Sequence, residues 1–304
     1  TQHSVMRLRE IGLEPDILVC RTEDANHLND KLKKKLGLFC NVEPLNVFES
    51  PDVKTIYSIP LVLHRQNFDK AVVKGLEMKR IGRHKNIKVL DKFVYRYYNP
   101  KSVVNVAICG KYNGLHDAYK SILEALIHAG VDNFVKVKIK WIDTEKLEIS
   151  KDVDKFFKDI NGIIIPGGFG NRGIEGKILA SKFARENKIP FLGICLGLQC
   201  AVIDFARHEC GLPNASSREL KPNTKTPVID IMIKQKKVIN KGASMRLGSF
   251  PCRVLKGTKA IKAYRKINIH ERHRHRYEVN NKFLPKLVSK GLVVSGKNLD
   301  LNLV

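Results

Sequence analysis

One five-residue stretch, Gly193-Ile194-Cys195-Leu196-Gly197, restricts the folds open to this chain more than any other feature. It stands where the apolar run Ile189-Pro190-Phe191-Leu192 gives way to the helical pattern "LQCAVIDFARHE". Gly-x-Cys-x-Gly is the thiol form of the Gly-x-Ser-x-Gly elbow. So tight a turn from strand to helix forces strained dihedrals on the central residue, and flanking glycines remove the Cβ atoms that would collide with strand and substrate. The cysteine then stands at a helix N-terminus, where the dipole and free N–H groups favour thiolate. The N–H of Leu196 is placed to donate to an oxyanion. The plain alternative for a cysteine is a small core residue, and Cys200 and Cys210 read that way.

The surrounding rhythm predicts an α/β fold with an open, mostly parallel sheet. "VVNVAICGKY", "FVKVKIKWID", "INGIIIPGGFG" and "IPFLGIC" read as strands. "DAYKSILEALIHAG", with Gly130 past its end, "KILASKFARENK" and "LQCAVIDFARHE" read as helices. Ligands of such sheets sit beyond the carboxyl ends of the strands, where both Gly-rich turns, 167–170 and 193–197, fall. Gly167-Gly168 therefore offers the second oxyanion donor that a thiol elbow needs. From residue 226 the pattern changes to strands and turns: "TPVIDIMI", "KKVIN", "MRLGSFPCRVL", "INIHERHRHRYEVN", "GLVVSG". On an extended segment Arg272, Arg274 and Arg276 would share one side, and His273 and His275 the other. Upstream, "PDILVC" reads as a buried strand, "TEDANHLNDKLKKKLGLFC" as a capped helix, and "VKTIYSIPLVLHRQNF" as a short helix followed by an apolar stretch. Residues 79–102 read as a basic linker whose "KVLDKFVYRYYNP" lies against a neighbour.

Composition narrows the class. No apolar run is long enough to span a membrane, and "TQHSVMRLRE" carries no signal-peptide apolar segment. The seven cysteines show no metal-ligand spacing, which points to reduced thiols and a cytoplasmic protein, with no metal site. The chain does not begin with Met and is expected to be a piece of a longer one. A net charge of +25 raises nucleic acid as a partner, but the lysines are spread along the whole length without interleaved aromatics. A Lys-rich solvated surface and phosphorylated small ligands account for them better, and nucleic acid is not expected as a partner.

Taken together, "PGGFG-x-RG-x-EG" (166–176), "P-x-LGICLG-x-Q" (190–199) and "ERHRHRYEVNN" (271–281) closely resemble the CTP synthase family. "TQHSV", "PDILVCR", "LFCNV" and "DAYKS" match as well. The first two motifs alone point only to class I glutamine amidotransferases. The resemblance implies a glutaminase domain of flavodoxin-like type over 103–304, a linker over 79–102, and the last third of a P-loop-type α/β synthetase domain over 1–78. It implies a ligase that phosphorylates UTP with Mg2+ and ATP and aminates it to CTP with ammonia from glutamine. GTP is implied as activator, CTP as inhibitor, and a homotetramer as the working form.

The resemblance also assigns residues. Cys195 is implied as the nucleophile that forms a glutamyl thioester, with Gly168 and Leu196 as oxyanion and substrate contacts. Leu196, Gly197, Leu198 and Gln199 are implied to line the glutamine pocket. Glu219 is implied to hold the α-amino group and Arg276 the α-carboxylate, and an α-amino acid does need one anion and one cation to be held. Arg172, Gly173 and Glu175 are implied to belong to a lid near the GTP site. Thr1, Gln2 and Lys35 are implied to contact UTP or CTP, with Lys33 and Lys34 as neighbouring alternatives, and Val53 to lie near adenine.

Two departures follow. No G-x-x-x-x-G-K-[ST] occurs, so ATP and Mg2+ are expected to be bound mainly by residues outside these 304. None of the ten histidines stands in His-x-Glu, the pair that the family's glutaminase base requires in a "HPE" segment. The polypeptide is therefore expected to be a poor glutaminase and no synthetase by itself. The competing expectations are another class I amidotransferase with a fused partner, against which "RHRHRYEVN" argues, and a decayed or regulatory module that binds nucleotides or joins synthase assemblies.

Overall fold

The computed structural model describes residues 1–78, 85–111, 116–231 and 246–304. It divides into two units, Thr1–Ser102 with Ile127–Lys136, and Val103–Leu126 with Val137–Val304. The expected strand at 236–240, the end of "TPVIDIMI" and the first residues of the expected linker lie outside the described residues. Among the described residues no helix is long and apolar enough to cross a membrane.

In the first unit, helix α1 (Gln2–Glu10) precedes strand β1 (Leu18–Thr22), helix α2 (Asp30–Cys40) and strand β2 (Val47–Pro51). The Asn29 side chain caps α2 by accepting from the Leu32 N–H at 3.0 Å, and left-handed Asn41 ends the helix. Strands β1 and β2 pair in parallel from Leu18↔Val47 to Thr22↔Pro51. Val5, Leu18, Cys20, Cys40, Val42 and Val47 form the core. The first strand is shifted from its expected place, and Val19 and Arg21 face outward, because one face of β1 alone is covered.

Helices α3 (Ile59–Arg65) and α4 (Phe68–Gly75) follow. The expected linker instead holds a 14-residue helix, α5 (Lys85–Tyr98). The reason is visible in retrospect: Ile87, Leu90, Phe93, Val94 and Tyr97 recur at helical spacing and are half-buried. The Phe93 ring meets Tyr57 at 4.7 Å between centroids, and the Arg96 guanidinium lies 4.5 Å from the centre of the Phe134 ring.

The second unit bears out the α/β reading. Strand β3 (Ser102–Gly110), helix α6 (Lys120–Asp132) and strand β4 (Val135–Asp143) are followed by short helices α7 (Thr144–Glu148) and α8 (Asp154–Phe157). Then come strand β5 (Gly162–Ile165), helix α9 (Ile174–Glu186), strand β6 (Phe191–Gly193) and helix α10 (Leu196–His208). The sheet order is β4-β3-β5-β6, with β3–β5 and β5–β6 parallel. Helix α6 runs through the buried Gly130 to Asp132. The chain reverses at Phe134 (φ 57°), so Gly130 is an interior residue and not the terminator.

Beyond α10, β7 (Ser216–Ser217) pairs in parallel with β8 (Pro227–Ile231). Strand β9 (Arg246–Val254), helix α11 (Lys259–Tyr264), strand β10 (Asn268–His275), strand β11 (Tyr277–Val279), helix α12 (Leu284–Ser289) and strand β12 (Gly296–Lys297) complete the order. They form two further three-stranded sheets, β11-β8-β7 and β10-β9-β12. "GLVVSG" is a strand only at its end. Leu292 turns into the core against α10, and ladder pairing with β9 begins at Gly296↔Val254.

Glu49, buried on β2, accepts from the N–H groups of Asn26 (3.0 Å) and Leu28 (3.1 Å) and from the Thr22 hydroxyl (3.0 Å). Burial pushes its carboxyl up, and these donors together outweigh that and hold it below its usual value. Its contribution to stability is thus present above the unfolded-state value and lost as pH falls through the folded one. Glu49→Ala leaves these donors unpaired and is expected to cost about 2–3 kcal/mol in urea unfolding at pH 7, with the deficit shrinking below about pH 4. A loss under 0.5 kcal/mol would show that the loop at 22–28 does not depend on this carboxylate.

Candidate functional site

The elbow is built by close contact between two strands and a helix. β5 and β6 run side by side with Ile165↔Gly193 as the last pair, and the Ile194 N–H donates to the Ile165 carbonyl at 2.9 Å. Cys195 then takes φ 54° and ψ −105°, a conformation an L-residue adopts only under constraint. A Cβ on Gly197 would lie 2.1 Å from the Ile165 carbonyl oxygen, and one on Gly193 would lie 2.5 Å from the Gly197 carbonyl carbon. Both glycines are therefore required by backbone approach, as the motif predicts.

The second Gly-rich turn lies against the thiol. A Cβ built on Gly167 would be 3.5 Å from the Cys195 Cβ, and one on Gly168 would be 3.7 Å from Leu196 Cδ2. The N–H groups of Gly167 and Gly168 have no hydrogen-bond partner among the described residues, so they remain available as donors. A cavity of about 190 Å³ opens at this point. Its walls include Gly168, Cys195, Leu196, Gln199, Glu219 and Arg276, six of the residues singled out from sequence. Phe169, His275 and Tyr277 complete it.

The other expected residues are placed elsewhere. Gly197 is packed against Ile165, and Leu198 points outward at 47% exposure. Arg172 pairs with Glu145, and Glu175 pairs with Arg207 at 2.6 Å, so both ends of the 172–175 stretch are tied down. Gly173 caps α9 with φ 66° where a Cβ would strike Thr144. Thr1, Gln2, Lys35 and Val53 lie in the first unit. Thr1 precedes α1, with its hydroxyl 3.8 Å from Cys20 Sγ, and Gln2 opens the helix. Lys35 is exposed on α2, and Val53 is half-buried.

The expected alternation of arginines also breaks at the site. Along β10, Arg272 and Arg274 face solvent while His273 and His275 face inward. Arg276 falls at a bend between β10 and β11, so three consecutive residues, His275, Arg276 and Tyr277, reach the cavity. Gln199 donates from Nε2 to the Tyr277 carbonyl at 3.2 Å and ties this bend to α10.

The electrostatics differ from the sequence expectation. Burial pushes the Cys195 thiol up. The Leu196 N–H opposes this, while the nearby charges of Glu219 and Glu278 push it further up. The Leu196 N–H at the helix N-terminus is outweighed by burial and by these charges. Glu219 is also raised, by burial first, with Arg276 acting against it. Glu219 and Arg276 thus present one anionic and one cationic group across the cavity that holds the sulfur.

Sequence reasoning missed Lys177. This α9 side chain is 2% exposed, has no carboxylate partner among the described residues, and places Nζ 3.7 Å from a Cβ built on Gly168. Burial holds its ammonium below the usual value. Its position one turn inside α9 was legible, but no pattern of charge signals a buried lysine. Among the described residues no group of three or more His, Cys, Asp or Glu side chains is arranged to hold a metal ion.

Residues 115–303 match the family model for glutamine amidotransferase class-I, and residues 1–78 match that for the CTP synthase N-terminus. A CTP synthase of Caldanaerobacter subterraneus subsp. tengcongensis is 52% identical over 304 residues, 100% of this chain and 56% of the relative. A CTP synthase of Methanocaldococcus jannaschii is 50% identical over 305 residues, 99% of this chain and 56% of the relative. This chain thus spans about half the length of the curated relatives it matches. A solved structure described as the Trypanosoma brucei CTPS glutaminase domain with bound acivicin superposes with a TM-score of 0.59 at 37% identity, covering 64% of this chain and 75% of that one.

Two predictions follow from the charges. Removing the Glu219 charge by Glu219→Gln should lower the Cys195 thiol and speed its alkylation by iodoacetamide at pH 8 by about threefold. Peptide mass spectrometry would read this, and an unchanged rate would mean that Glu219 does not act on the sulfur. For Lys177, the unfolded chain binds the extra proton between the depressed folded value and about 10.4, so stability rises with pH across that interval. Lys177→Met should stabilise the fold by about 1–3 kcal/mol at pH 7, with the gap narrowing toward pH 10 in urea titrations. A destabilised variant would mean that the ammonium holds the turn in place.

Proposed function

We propose a function from one premise: the chain belongs to the CTP synthase family. On that premise its Cys195 cavity is a glutamine site, and the chemistry is amide hydrolysis through a thioester. The observation that carries this reading is the presence of an elbow cysteine, a carboxylate and a guanidinium around one small cavity. Glu219 is suited to the α-ammonium and Arg276 to the α-carboxylate. The side-chain amide is then directed at the sulfur.

The Cys195 thiol gives its proton to a base, and the sulfur forms a bond to the amide carbon. The carbonyl oxygen becomes an oxyanion facing the N–H groups of Leu196 and the Gly167-Gly168 turn. Collapse of this intermediate breaks the C–N bond and releases ammonia with a proton returned from the base. Water then cleaves the thioester to glutamate. Cys195, being raised, needs that base. The family resemblance supplies it as a His-x-Glu pair, which these 304 residues do not contain.

At the level of the whole protein, we extend the proposal to the use of that ammonia in ATP-dependent amination of UTP to CTP. The assignments of Thr1, Gln2 and Lys35 to UTP or CTP, Val53 to ATP, and Arg172, Gly173 and Glu175 to a GTP lid belong to the same extension. So do the division into 1–78, 79–102 and 103–304, the homotetramer and the cytoplasmic location. Mg2+ would enter with ATP, and with no metal-binding cluster among the described residues no step is assigned to it.

The test is labelling with a chloroketone analogue of glutamine or with acivicin. Saturable modification at Cys195, slowed by added glutamine, is the expected result. The same polypeptide should release ammonia from glutamine at least about 10³-fold more slowly than a relative holding the His-x-Glu pair. Modification at Cys200 or Cys210 with Cys195 spared would overturn the assignment.

A further inference from the structure

Between Arg274 and Glu278 the chain passes from one sheet to another. β10 belongs with β9 and β12, and β11 belongs with β8 and β7. Arg276, which the glutamine reading gives to the α-carboxylate, is the bend residue between them. Ladder pairing holds the chain on either side of that bend but leaves Arg276 itself unpaired, because the last paired residue on one side is His275 (with Arg246) and the first on the other is Tyr277 (with Ile231).

One side chain spans the gap. His275 Nε2 meets His273 Nδ1 at 2.8 Å, and its Nδ1 lies 3.4 Å from Glu278 Oε1. His273 is held in the first sheet, where its ring stands edge-on to Phe250 at 5.7 Å and its backbone pairs with Gly248. Glu278 is held in the second, paired with Asp230. His275 and Glu278 are both largely buried, with side-chain exposures of 15% and 10%. The His273–His275 bond needs one ring to donate and the other to accept, so the array is oriented as well as packed. The Nε2 bond to His273 and the 3.4 Å approach of Nδ1 to Glu278 hold the His275 ring between the two sheets. It lines the cavity as a fixed wall beside Arg276.

We propose that His275, bridging His273 and Glu278 across the junction of the two sheets, is a positioning residue for the glutamine site: it sets the bend that aims Arg276 at the α-carboxylate. This rests on the glutamine reading of the Cys195 cavity and adds a specificity element to it. The His275 contacts act on recognition, while the charge of Glu278 also acts on the sulfur.

The test is saturation kinetics of Cys195 alkylation in the 304-residue chain, with the chloroketone analogue of glutamine as the recognised probe and iodoacetamide as the unrecognised one. His275→Ala should raise the half-saturating chloroketone concentration by about tenfold, with the limiting rate and the iodoacetamide rate changed less than about twofold. His275→Gln, whose amide keeps one donor and one acceptor, should recover most of the loss. In an Arg276→Ala background, His275→Ala should add nothing further, because both act through one group. Glu278→Gln should raise the half-saturating chloroketone concentration in the same way, with faster iodoacetamide alkylation because its charge raises the thiol, and serves if His275→Ala fails to fold. An unchanged half-saturating concentration in both variants, or full additivity with Arg276→Ala, would overturn the proposal while leaving the glutamine reading intact. Absence of saturable chloroketone labelling in the unmodified chain would overturn that reading and this proposal with it.

Discussion

The approach of the α10 N-terminus to the end of β5 is the contact on which the rest depends. At Gly197 the backbone comes so near the Ile165 carbonyl that no side chain fits, and at Gly193 the same helix turn fills the space of a Cβ. This pins the strand-to-helix turn from both sides. It holds Cys195 in its strained conformation and, through the β5–β6 register, brings the Gly-rich turn after Ile165 beside the sulfur. A thiol, its adjacent N–H groups and a second set of donors are thereby placed by backbone packing alone. Strain of this kind, of order 1–3 kcal/mol, persists only where the surroundings over-determine it. The buried cluster of Leu196, Cys200, Ile203 and Ala206 against Val228, Ile229 and Leu287 provides that surrounding structure.

Placement and activation are separate matters in this cavity. The backbone presents the sulfur, but the charges nearest to it are negative, and burial adds to their effect. A carboxylate that suits an α-ammonium raises the thiol beside it. On the glutamine reading, recognition of an amino acid and ionisation of the thiol are therefore opposed until the ligand arrives. A bound α-ammonium would neutralise Glu219 and remove part of that opposition, so ligand binding itself favours the reactive form.

What could be read from the sequence follows from how local its causes are. The elbow was legible because two glycines four residues apart report a steric requirement directly. The parallel sheet was legible because Ile163, Ile164 and Ile165 form an unbroken apolar run of the kind buried on both faces. Helix α5 was hidden by the basic residues that open it, although its aromatic spacing was present in the chain. The end of α6 was misplaced because Gly130 is a packing glycine, and glycine as terminator and glycine as close contact look alike in one dimension. Lys177 was invisible because nothing in the charge pattern around it marks a buried lysine.

Arg276 shows the limit most clearly. Period-2 alternation assigns it to the same face as Arg272 and Arg274, yet it is the one that reaches the cavity. Alternation describes a strand within one sheet, and here the segment changes sheets between His275 and Tyr277. The residue at the change is released from the pleat and free to point where neither sheet would send it. The chemistry of the site therefore sits where regular structure stops twice: at the elbow, where a strand becomes a helix, and at the bend, where one sheet gives way to another. At the elbow the cause lies within five residues of sequence, so the motif predicts the geometry. At the bend the cause is the pairing of β10 and β11 with strands from different parts of the chain, and only the assembled fold reveals it.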